Sequence, residues 1–538
     1  MCGVFGWIRY EGVLEDCELT RARRALRTLA HRGPDGQGEW FEGSVYMGHR
    51  RLSIIDLSHE ADQPFIDQTR RYVLIVNGEI YNYVELRSEL EREGMQFRTR
   101  SDTEVMLAAL IYWGEGAFAR FDGMFAGALH DRITGEHLLF RDPLGQKPLY
   151  YFEYAGGIIY ASELRALLEL DQFDWKIDRV AFARYLAHGY YALAETPVRG
   201  IKKLLPGCFL RIAHRSSQIR RYWNSIPGQG VSSLSDGQAI DEFESLFTNS
   251  CRIAMRSDVP YGVFLSGGID SSLVLAACQK VDPKVQTFSV AMEDSDFDES
   301  GKARAVASAL KVADSHVVTM NRMAVQEALE RFFATIDEPH GDPGFVNMLF
   351  LAKSSRSFLT VALAGDGGDE LFAGYAPFSG LNAVPWFRAL PQGAIAGMKQ
   401  LSRLLPSDDR YLSPQFKLLA YLQGFPANDA TRFALWLSSI DPEGLGQLCP
   451  WLPREYLSRY GESGTIFGPV VDMMQPAAHR SQLQMLQYYY QKVFLPEFVC
   501  HHTDRAAMQS SMEIRSPFMS VPLVEFANRL PDSMKMRG

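Results

Sequence analysis

The sequence is poor in cysteine, and its cysteines form no recognisable site. Seven cysteines occur among 538 residues, which is an odd number, and no two of them form a Cys-x-x-Cys pair. This arrangement argues against a disulfide framework and against a zinc ribbon. Few and unpaired cysteines are typical of the reducing cytoplasm, which is the location we predict.

Long apolar runs and long basic runs are missing as well. No stretch is apolar enough to span a bilayer, and the apolar start of the chain lacks basic residues and is interrupted by Arg9 and Glu11, unlike a secretion signal. The 55 Lys and Arg residues against 64 Asp and Glu residues give a net charge of −9. We therefore expect small-molecule substrates, no membrane and no nucleic acid, and we leave a homodimer open.

A glycine turn in the middle of the chain predicts an anion site. Residues 263–272 read Val-Phe-Leu-Ser-Gly-Gly-Ile-Asp-Ser-Ser: an apolar run typical of a buried strand, two glycines, and a helix predicted to begin on a serine cap at Ser272. The N–H groups of such a turn converge on one point and bind phosphate. The Walker lysine is absent, and Asp270 is placed to meet a metal ion. Taken alone, a Ser-Gly-Gly sequence is more often a plain turn.

The second residue of the chain is a candidate nucleophile. Removal of Met1 leaves a free α-amino group on Cys2, beside its thiol. Such an amino group has a pKa of about 8 and can activate the thiol as a base. A cysteine near a terminus carries little information by itself, so the assignment depends on the residues that follow.

The first two hundred residues read as an α+β layer rich in strands. Strands are predicted at 44–49, 72–76, 125–129, 137–140 and 157–161, and helices at 17–30, 83–93 and 103–113. Five motifs, in this order, resemble class II glutamine amidotransferase domains with an N-terminal nucleophile: Cys2–Gly6, His31–Gly36, Arg51–Asp56, Asn77–Asn82 and Arg141–Gly145. The resemblance implies an αββα sandwich in which the Cys2 thiolate attacks the glutamine side-chain amide and releases ammonia.

The same resemblance implies a role for each polar residue of these motifs. The Asn77 side-chain amide and the Gly78 backbone N–H stabilise the oxyanion, and losing one such donor typically costs about 3 kcal/mol. Arg51 takes the glutamine α-carboxylate in a forked contact. Glu79 and Asp102 hold the α-ammonium group.

The second half of the chain alternates strands with helices. Strands are predicted at 286–291, 316–319 and 360–364, and helices at 240–256, 299–312, 323–335 and 345–357. This alternation predicts an α/β doubly wound parallel sheet, which binds ligands at the carboxyl ends of its strands. A loop rich in Asp and Gly, Ala364–Tyr375, follows the last of these strands. Its spacing differs from an EF-hand, and magnesium with phosphates suits it better than calcium.

Together the two loops resemble the PP-loop ATP pyrophosphatase domain of glutamine-hydrolysing asparagine synthetases. Other segments that fit this family are Asp298–Ser300, Asp337–Pro343 and Asp504–Phe518. The resemblance implies ATP and Mg²⁺ as cofactors, with ATP and pyrophosphate bound at Leu265, Ser266, Gly267, Gly268, Asp270, Ser271, Ser272, Val290, Ala364 and Gly365. It also implies that Asp270 and Asp369 hold the metal ion and that Asp366 is the candidate catalytic base.

The length and the hydrophobic content of 46% suffice for two or three domains. We place a glutaminase domain at 1–210 and a linker at 211–235, since residues 225–233 have the composition of a linker. The synthetase-like domain, a PP-loop domain with added helices, occupies 236–538. Residues 376–480 carry helical periodicity and no motif, and Tyr488–Tyr490 is expected in the core rather than in a stacking platform.

Several features depart from the family pattern. His502 and Ser520 stand where a lysine and an aspartate are common, and the chain ends at Gly538, before the family's C-terminal lysine. We expect a C-terminally incomplete form, and the alternative is an altered acyl-adenylate chemistry. A metal site at His501 and His502 is disfavoured, because adjacent side chains rarely share one metal ion.

The sequence therefore predicts glutamine-dependent amidation of a carboxylate, with ATP cleaved to AMP and pyrophosphate and ammonia supplied by Cys2. Aspartate is the first choice of acid, and an acyl-adenylate is the expected intermediate. Two alternatives stay open: the same machinery acting on a different carboxylic acid of a biosynthetic pathway, and a glutaminase with a non-catalytic nucleotide-binding domain. No residue of the sequence identifies the acid.

Overall fold

The computed structural model describes residues 2–293, 298–402, 404–405, 413–425, 427–459 and 461–536. Its N-terminal part is built from two six-stranded sheets, in which every strand pair is antiparallel. The strands are β1 (Gly3–Arg9), β2 (Gly36–Glu42), β3 (Val45–Arg51), β4 (Phe65–Ile66), β5 (Tyr72–Ile80), β6 (Gly123–Asp131), β7 (His137–Arg141), β8 (Tyr150–Tyr154), β9 (Gly157–Ala161), β10 (Ile201–Lys203), β11 (Cys208–Ala213) and β12 (Ser216–Arg221). The strand order is β10-β8-β9-β1-β3-β2 in the first sheet and β12-β11-β7-β6-β5-β4 in the second.

Helices cover the outer faces of both sheets. The helices of this part are α1 (Asp16–Arg27), α2 (Tyr83–Arg92), α3 (Asp102–Trp113), α4 (Leu164–Leu168) and α5 (Arg179–His188). Side chains of β1 alternate between two cores: Val4 and Ile8 pack between the sheets, whereas Phe5 and Trp7 pack against α1 and α4. Helices α2 and α3 cover the second sheet in the same way. The predicted αββα sandwich is confirmed.

The C-terminal part contains a five-stranded sheet in which all strands run parallel. Its strands are β13 (Tyr261–Phe264), β14 (Gln286–Met292), β15 (Ser315–Met320), β16 (Val361–Leu363) and β17 (Glu513–Arg515), in the order β15-β14-β13-β16-β17. The chain order reverses between β13 and β16, so the loops that follow these two strands open side by side. This is the point at which a doubly wound sheet binds its ligand, and the predicted fold class is confirmed.

The helices that surround this sheet are α6 (Asp236–Ala254), α7 (Ile269–Val281), α8 (Ser300–Ala309), α9 (Arg322–Thr335), α10 (Gly344–Ser355), α11 (Gly368–Phe372), α12 (Ala376–Gly380), α13 (Val384–Arg388), α14 (Gln392–Ser402), α15 (Pro414–Gln423), α16 (Asp429–Trp436), α17 (Pro442–Leu448), α18 (Arg454–Ser458), α19 (Gly468–Met473), α20 (Gln482–Tyr489), α21 (Cys500–Met508), α22 (Val521–Arg529) and α23 (Asp532–Lys535). A π-helical segment, Tyr490–Val499, joins α20 to α21. Within the described ranges, no helix is both long and apolar enough to cross a membrane.

The helices of residues 376–480 share one core with the N-terminal part. Ala183 and Ala187 of α5 pack into this core, as do all three tyrosines of Tyr488–Tyr490, which are at most 3% exposed. The expectation that these tyrosines are core residues is confirmed. The two halves of the chain therefore meet across a packed apolar interface.

The start of one helix differs from its prediction, and one predicted domain boundary lies within a strand. Helix α7 begins at Ile269 rather than on a Ser272 cap, because the extended backbone of Gly268 already ends the turn, and the Ser272 hydroxyl donates back to the Gly268 carbonyl at 2.6 Å. The second sheet continues to Arg221, since β12 pairs with β11 and β11 with β7. The domain boundary predicted at residue 210 therefore falls within β11.

Candidate active sites

Cys2 lies at the start of β1, next to the end of β5. The residue is 6% exposed. Its backbone N–H donates to Asn77 Oδ1 at 2.9 Å, and its Sγ lies 4.0 Å from the Leu52 carbonyl oxygen, a weak S–H···O contact. Burial raises the pKa of the thiol, while the positive charges of the N-terminus and of Arg51 act in the opposite direction. The thiol therefore needs a base before it can attack a substrate.

The Asn77 side chain is the predicted oxyanion donor. Its Oδ1 accepts from Cys2, whereas its Nδ2 is buried and finds no hydrogen-bond partner among the residues that the structure describes. A buried donor left unpaired costs about 1–3 kcal/mol unless a ligand satisfies it. The next residue, Gly78, has φ +135°, and a Cβ at this position would collide with the Met124 carbonyl of β6. The structure thus places Asn77 against Cys2, with one amide nitrogen free for a ligand, and the oxyanion role of Asn77 and Gly78 stays a prediction.

The Arg51 guanidinium is held by the loop that follows β3. It donates to the Ser58 carbonyl at 2.7 Å, to Asp62 Oδ1 at 2.6 Å and to the Asp56 carbonyl. The Arg51 residue is 7% exposed. Its assignment to the glutamine α-carboxylate stays a prediction, and the structure adds the groups that fix its position.

Glu79 and Asp102 lie at the end of β5 and the start of α3. Asp102 Oδ2 accepts from the Ile80 N–H at 3.1 Å, and burial raises the pKa of Asp102 to about 6. Glu79 forms an ion pair with Arg515 of β17, a partner that none of the sequence motifs predicts. Arg515 also bonds Glu513 Oε1 at 2.6 Å. The candidate ammonium site is thus shared with a cation from the second half of the chain.

The second site is a cavity of about 770 Å³ at the carboxyl ends of β13, β14 and β16. Of the residues predicted for the ATP site, those that line it are Leu265, Ser266, Gly268, Asp270, Ser271, Val290, Ala364, Gly365 and Asp369, together with the candidate base Asp366. Gly267 and Ser272 do not line the cavity. The structure therefore brings most of the predicted set to one surface, and these two residues serve the shape of the loop.

Gly267 is required by the close approach of α8. Its φ is +82°, and a Cβ there would lie 2.5 Å from the Ala303 N atom. The hydroxyls of the turn bond one another: Ser266 Oγ lies 3.0 Å from Ser271 Oγ and 3.3 Å from the Gly268 N–H. The turn is thus held by its own serines, in a position to present backbone N–H groups to an anion.

Three carboxylates face one another across the two loops. Burial raises the pKa of Asp270 to about 6, and the charges of Asp369 and Asp366 act in the same direction. Gly368 makes room for this group, since a Cβ there would lie 2.5 Å from Asp270 Cγ. The described residues contain no ready-made cluster of three metal ligands. Mg²⁺ binds through one or two carboxylates together with substrate phosphates, and Asp270 and Asp369 fit that requirement.

Several residues of the cavity were given no role from the sequence, although some of them lie within the predicted segments 263–272, 298–300 and 364–375. They are Phe264, Ile269, Phe288, Ser289, Met292, Glu299, Ala303, Asn347, Met348, Leu351, Gly368, Phe372 and Gly374. One face of α10 presents Asn347, Met348 and Leu351. The helical spacing of these residues in the sequence could have predicted that they lie together. Phe288 stacks on His316 with ring centroids 4.5 Å apart, a contact between strands that no motif encodes.

Buried charges connect the two sites. Arg32 donates from Nε to the Cys2 carbonyl at 2.9 Å and from Nη1 to Asp504 Oδ2 at 2.9 Å. Lys147 Nζ lies 3.3 Å from Asp504 Oδ1. A cavity of about 10 Å³, the room for one water-sized molecule, is lined by Gln146, Lys147, Asp366, Cys500, Thr503, Asp504, Ile514, Ser516 and Met519. The structure thus places a small internal space between the Arg32–Asp504 contact and Asp366.

The two adjacent histidines have different partners. His501 stacks on His340 and lies 3.7 Å from Glu338 Oε1, whereas His502 Nδ1 lies 2.9 Å from Asp342 Oδ2. No group of three metal-ligating side chains was found in the described part of the chain. Ser520 donates to Asp122 Oδ2 at 2.7 Å and lines neither the large cavity nor the small one.

Comparison with known proteins covers the whole chain. A family model described as a glutamine amidotransferase domain matches residues 1–223, and one described as asparagine synthase matches residues 242–538. Asparagine synthetase (glutamine-hydrolyzing) 1 of Bacillus subtilis is 30% identical over 542 residues, which cover 100% of this chain and 82% of that protein. Asparagine synthetase (glutamine-hydrolyzing) 3 of the same organism is 27% identical over 554 residues, with coverages of 100% and 82%.

A third relative has a different name. Amidase chry2 of Gibberella zeae is 28% identical over 590 residues, covering 100% of this chain and 84% of that protein. Both family models thus match in the order in which the two sites occur, and the relatives align over the full length of the chain. The chain therefore belongs to the glutamine-hydrolysing asparagine synthetase family of enzymes.

Proposed function

We propose that this enzyme transfers the amide nitrogen of glutamine to aspartate, with cleavage of ATP to AMP and pyrophosphate. The proposal rests on a series of buried contacts that connects the two sites, which we call the buried line. Arg32 bonds both the nucleophile's carbonyl and Asp504, and Asp504 borders the small cavity that reaches Asp366. A glutaminase that works alone has no need of this connection.

The first half-reaction takes place at Cys2. With Met1 removed, the α-amino group of Cys2 accepts the thiol proton, and the thiolate attacks the amide carbon of glutamine. The oxyanion that forms receives N–H donors from Asn77 Nδ2 and from the Gly78 backbone. The amino group then protonates the leaving nitrogen, ammonia departs, and water opens the thioester to give glutamate. Arg51, Glu79 and Asp102 hold the charged groups of the substrate.

The second half-reaction takes place in the large cavity. The residues of the turn that line the cavity, Ser266, Gly268 and Ser271, hold the β- and γ-phosphates through backbone N–H groups and hydroxyls, with Leu265 and Val290 against the nucleoside. The carboxylate of the acid attacks the α-phosphorus, the bond to the bridging oxygen breaks, and pyrophosphate leaves. Ammonia attacks the acyl carbon, AMP departs, and Asp366 takes the proton that the nitrogen loses.

Asp270 and Asp369 would hold Mg²⁺ together with the phosphates. When bound, the ion would neutralise part of the negative charge of the phosphates. Without a cation these carboxylates oppose one another's ionisation, which contributes to the raised pKa of Asp270. The three glycines nearest to them, Gly365, Gly368 and Gly374, provide the space that the acidic side chains occupy.

Ammonia passes between the sites inside the protein. The small cavity has room for one molecule the size of water, and the wall residues Thr503, Asp504 and Ser516 are at most 7% exposed. A closed path keeps ammonia unprotonated and away from solvent. Lys147 and Asp504 form an ion pair in the wall.

A screen of carboxylic acids for glutamine-dependent AMP release tests the proposal. Aspartate is expected to give AMP, pyrophosphate and asparagine in equal amounts. If aspartate is inert and another acid turns over, the family machinery serves a different acid. If glutamine is hydrolysed and no acid yields AMP, the second half is a non-catalytic nucleotide-binding domain.

A second candidate, amidation of a different acid of a biosynthetic pathway, is favoured by one position. His502 stands beside the candidate base, with Thr503 between them, where a lysine is common in the family. Ser520, the other unusual residue, bonds Asp122 away from both cavities and gives no support to this candidate. The name of the Gibberella zeae relative agrees with a wider range of substrates in the family.

A further inference from the structure

A line of polar side chains leads from the candidate base to the other side of α21. Thr503 Oγ1 donates to Asp366 Oδ2 at 3.3 Å and lies 3.3 Å from His502 Nε2. His502 Nδ1 lies 2.9 Å from Asp342 Oδ2. Asp342 is itself fixed, because its Oδ1 accepts from the Gly344 N–H at 2.8 Å. The line therefore runs Asp366, Thr503, His502, Asp342.

The contacts of His502 determine where its hydrogen is. Nδ1 faces two acceptors, Asp342 Oδ2 and the Phe498 carbonyl oxygen at 3.1 Å, so it carries a hydrogen in every state. In the neutral ring Nε2 is therefore unprotonated and faces the Thr503 hydroxyl. A hydroxyl can accept a proton on one side and give its own on the other. Thr503 can thus pass a proton from Asp366 to His502.

The charges around His502 favour its protonated form. The titratable groups that face His502 are Asp342, Asp366, His340 and His501. Burial disfavours the charged ring, but hydrogen bonding and charge from Asp342 outweigh it, and the pKa of His502 is raised. The side chain of His502 is 14% exposed, so a proton that reaches it has a way to solvent. Asp366 instead lines the large cavity, where a proton left on it would stay among the substrates.

We propose that Thr503 and His502 form a proton exit for Asp366 in the amidation step, with Asp342 as the group that orients His502. This inference rests on the proposed function. As the nitrogen–carbon bond forms and the bond from the acyl carbon to AMP breaks, Asp366 takes a proton from the nitrogen. That proton moves to Thr503 Oγ1 while the hydroxyl proton moves to His502 Nε2. The imidazolium, paired with Asp342, holds the proton until the product has left, and Nε2 then gives it to solvent. Asp366 is restored as a carboxylate, ready for the next turnover.

The experiment separates acid activation from amide formation. Acid-dependent ATP–pyrophosphate exchange reports the acyl-adenylate step, which needs no proton exit, and ammonia-dependent amide formation reports the complete reaction. In Thr503→Val we expect the kcat of amide formation to fall at least about 10-fold, toward the 10²–10⁴ range of acid–base catalysis. Exchange and the KM for the acid stay unchanged. Thr503→Ser, which keeps the hydroxyl, restores kcat to within about threefold of the wild type.

Variants of His502 test the rest of the line. His502→Gln is expected to match Thr503→Val, and the double variant to be no slower than either single one, because both changes interrupt the same path. His479→Gln, at an exposed position, is the matched control and leaves all rates unchanged. Glutaminase activity and thermal unfolding verify that each variant is folded.

Two results would overturn this inference and leave the proposed function unaffected. One is amide formation at the wild-type rate in Thr503→Val, and the other is a parallel loss of exchange and amide formation in both Thr503→Val and Thr503→Ser, which indicates a structural role. Absence of acid-dependent exchange in the wild type is a different outcome, because it overturns the proposed function on which the inference rests.

Discussion

Replacement of Asn77 separates the two tasks of its side-chain amide. Oδ1 bonds the Cys2 backbone N–H at 2.9 Å, and the buried Nδ2 is unpaired within the described residues. Asn77→Asp keeps an oxygen for the first contact and removes the donor of the second. Loss of one oxyanion donor costs about 2.7–4 kcal/mol, or about 10²–10³ in kcat. Asn77→Ala removes in addition a neutral hydrogen bond, worth about 1 kcal/mol.

Glutamate release at saturating glutamine measures the effect. We expect Asn77→Asp to lower the glutaminase kcat about 100-fold or more, because the donor is lost and its carboxylate also repels the oxyanion. Asn77→Ala should lower kcat through loss of the donor and misplacement of Cys2. Ammonia-dependent amide formation serves as the control and stays at the wild-type level, because the large cavity contains no part of Asn77. A glutaminase kcat within about threefold of the wild type in Asn77→Asp would refute the oxyanion assignment.

Three further predictions concern the nucleophile, the acidic loop and the buried line between the sites. Cys2→Ala is expected to abolish glutamine use and to leave ammonia as a nitrogen donor; loss of both in a folded protein would refute the separation of the two sites. The pKa of Asp270 is raised from 3.8 to about 6, so its ionisation costs stability as pH rises through this window, and the full cost is present above it. Above about pH 6, Asp270→Asn should therefore raise the melting temperature of the ligand-free protein. The same change should weaken ATP binding in the presence of Mg²⁺. An unchanged melting temperature would contradict the repulsion between the carboxylates of the two loops. Arg32→Met should lower the free energy of unfolding by about 3–5 kcal/mol, since Asp504 and Glu163 lose a buried partner at 2.9 Å. It should also lower the yield of amide per glutamine hydrolysed, and a normal yield would show that the connection is structural only.

The sequence was most informative where the local residue pattern and the conformation required of the backbone indicate the same structure. The strands predicted at 72–76 and 125–129 lie within β5 and β6, and glycines at Gly267 and Gly78 are needed for positive φ and close contacts. Such features depend on neighbouring residues or on one adjacent strand. Periodicity and turn chemistry are therefore enough to identify them.

Contacts between distant parts of the chain were beyond this reasoning. The Arg32–Asp504 and Glu79–Arg515 pairs join residues hundreds of positions apart, and no local pattern encodes such partners. The start of α7 was misplaced for a local reason, because Ser272 is a good cap by residue type but an extended Gly268 had already ended the turn. The role of Gly368 became evident only from the side chain of Asp270 that it accommodates.

The most direct test follows the nitrogen from one site to the other. The wild-type enzyme is supplied with glutamine labelled with ¹⁵N in its amide, ATP, aspartate and an excess of unlabelled ammonium. If Cys2 and the ATP cavity work as one enzyme through an internal path, the amide product carries the ¹⁵N label in far greater proportion than the ammonia in solution. A product whose label equals that of the solution, or the absence of any product beside active glutaminase, would contradict this conclusion.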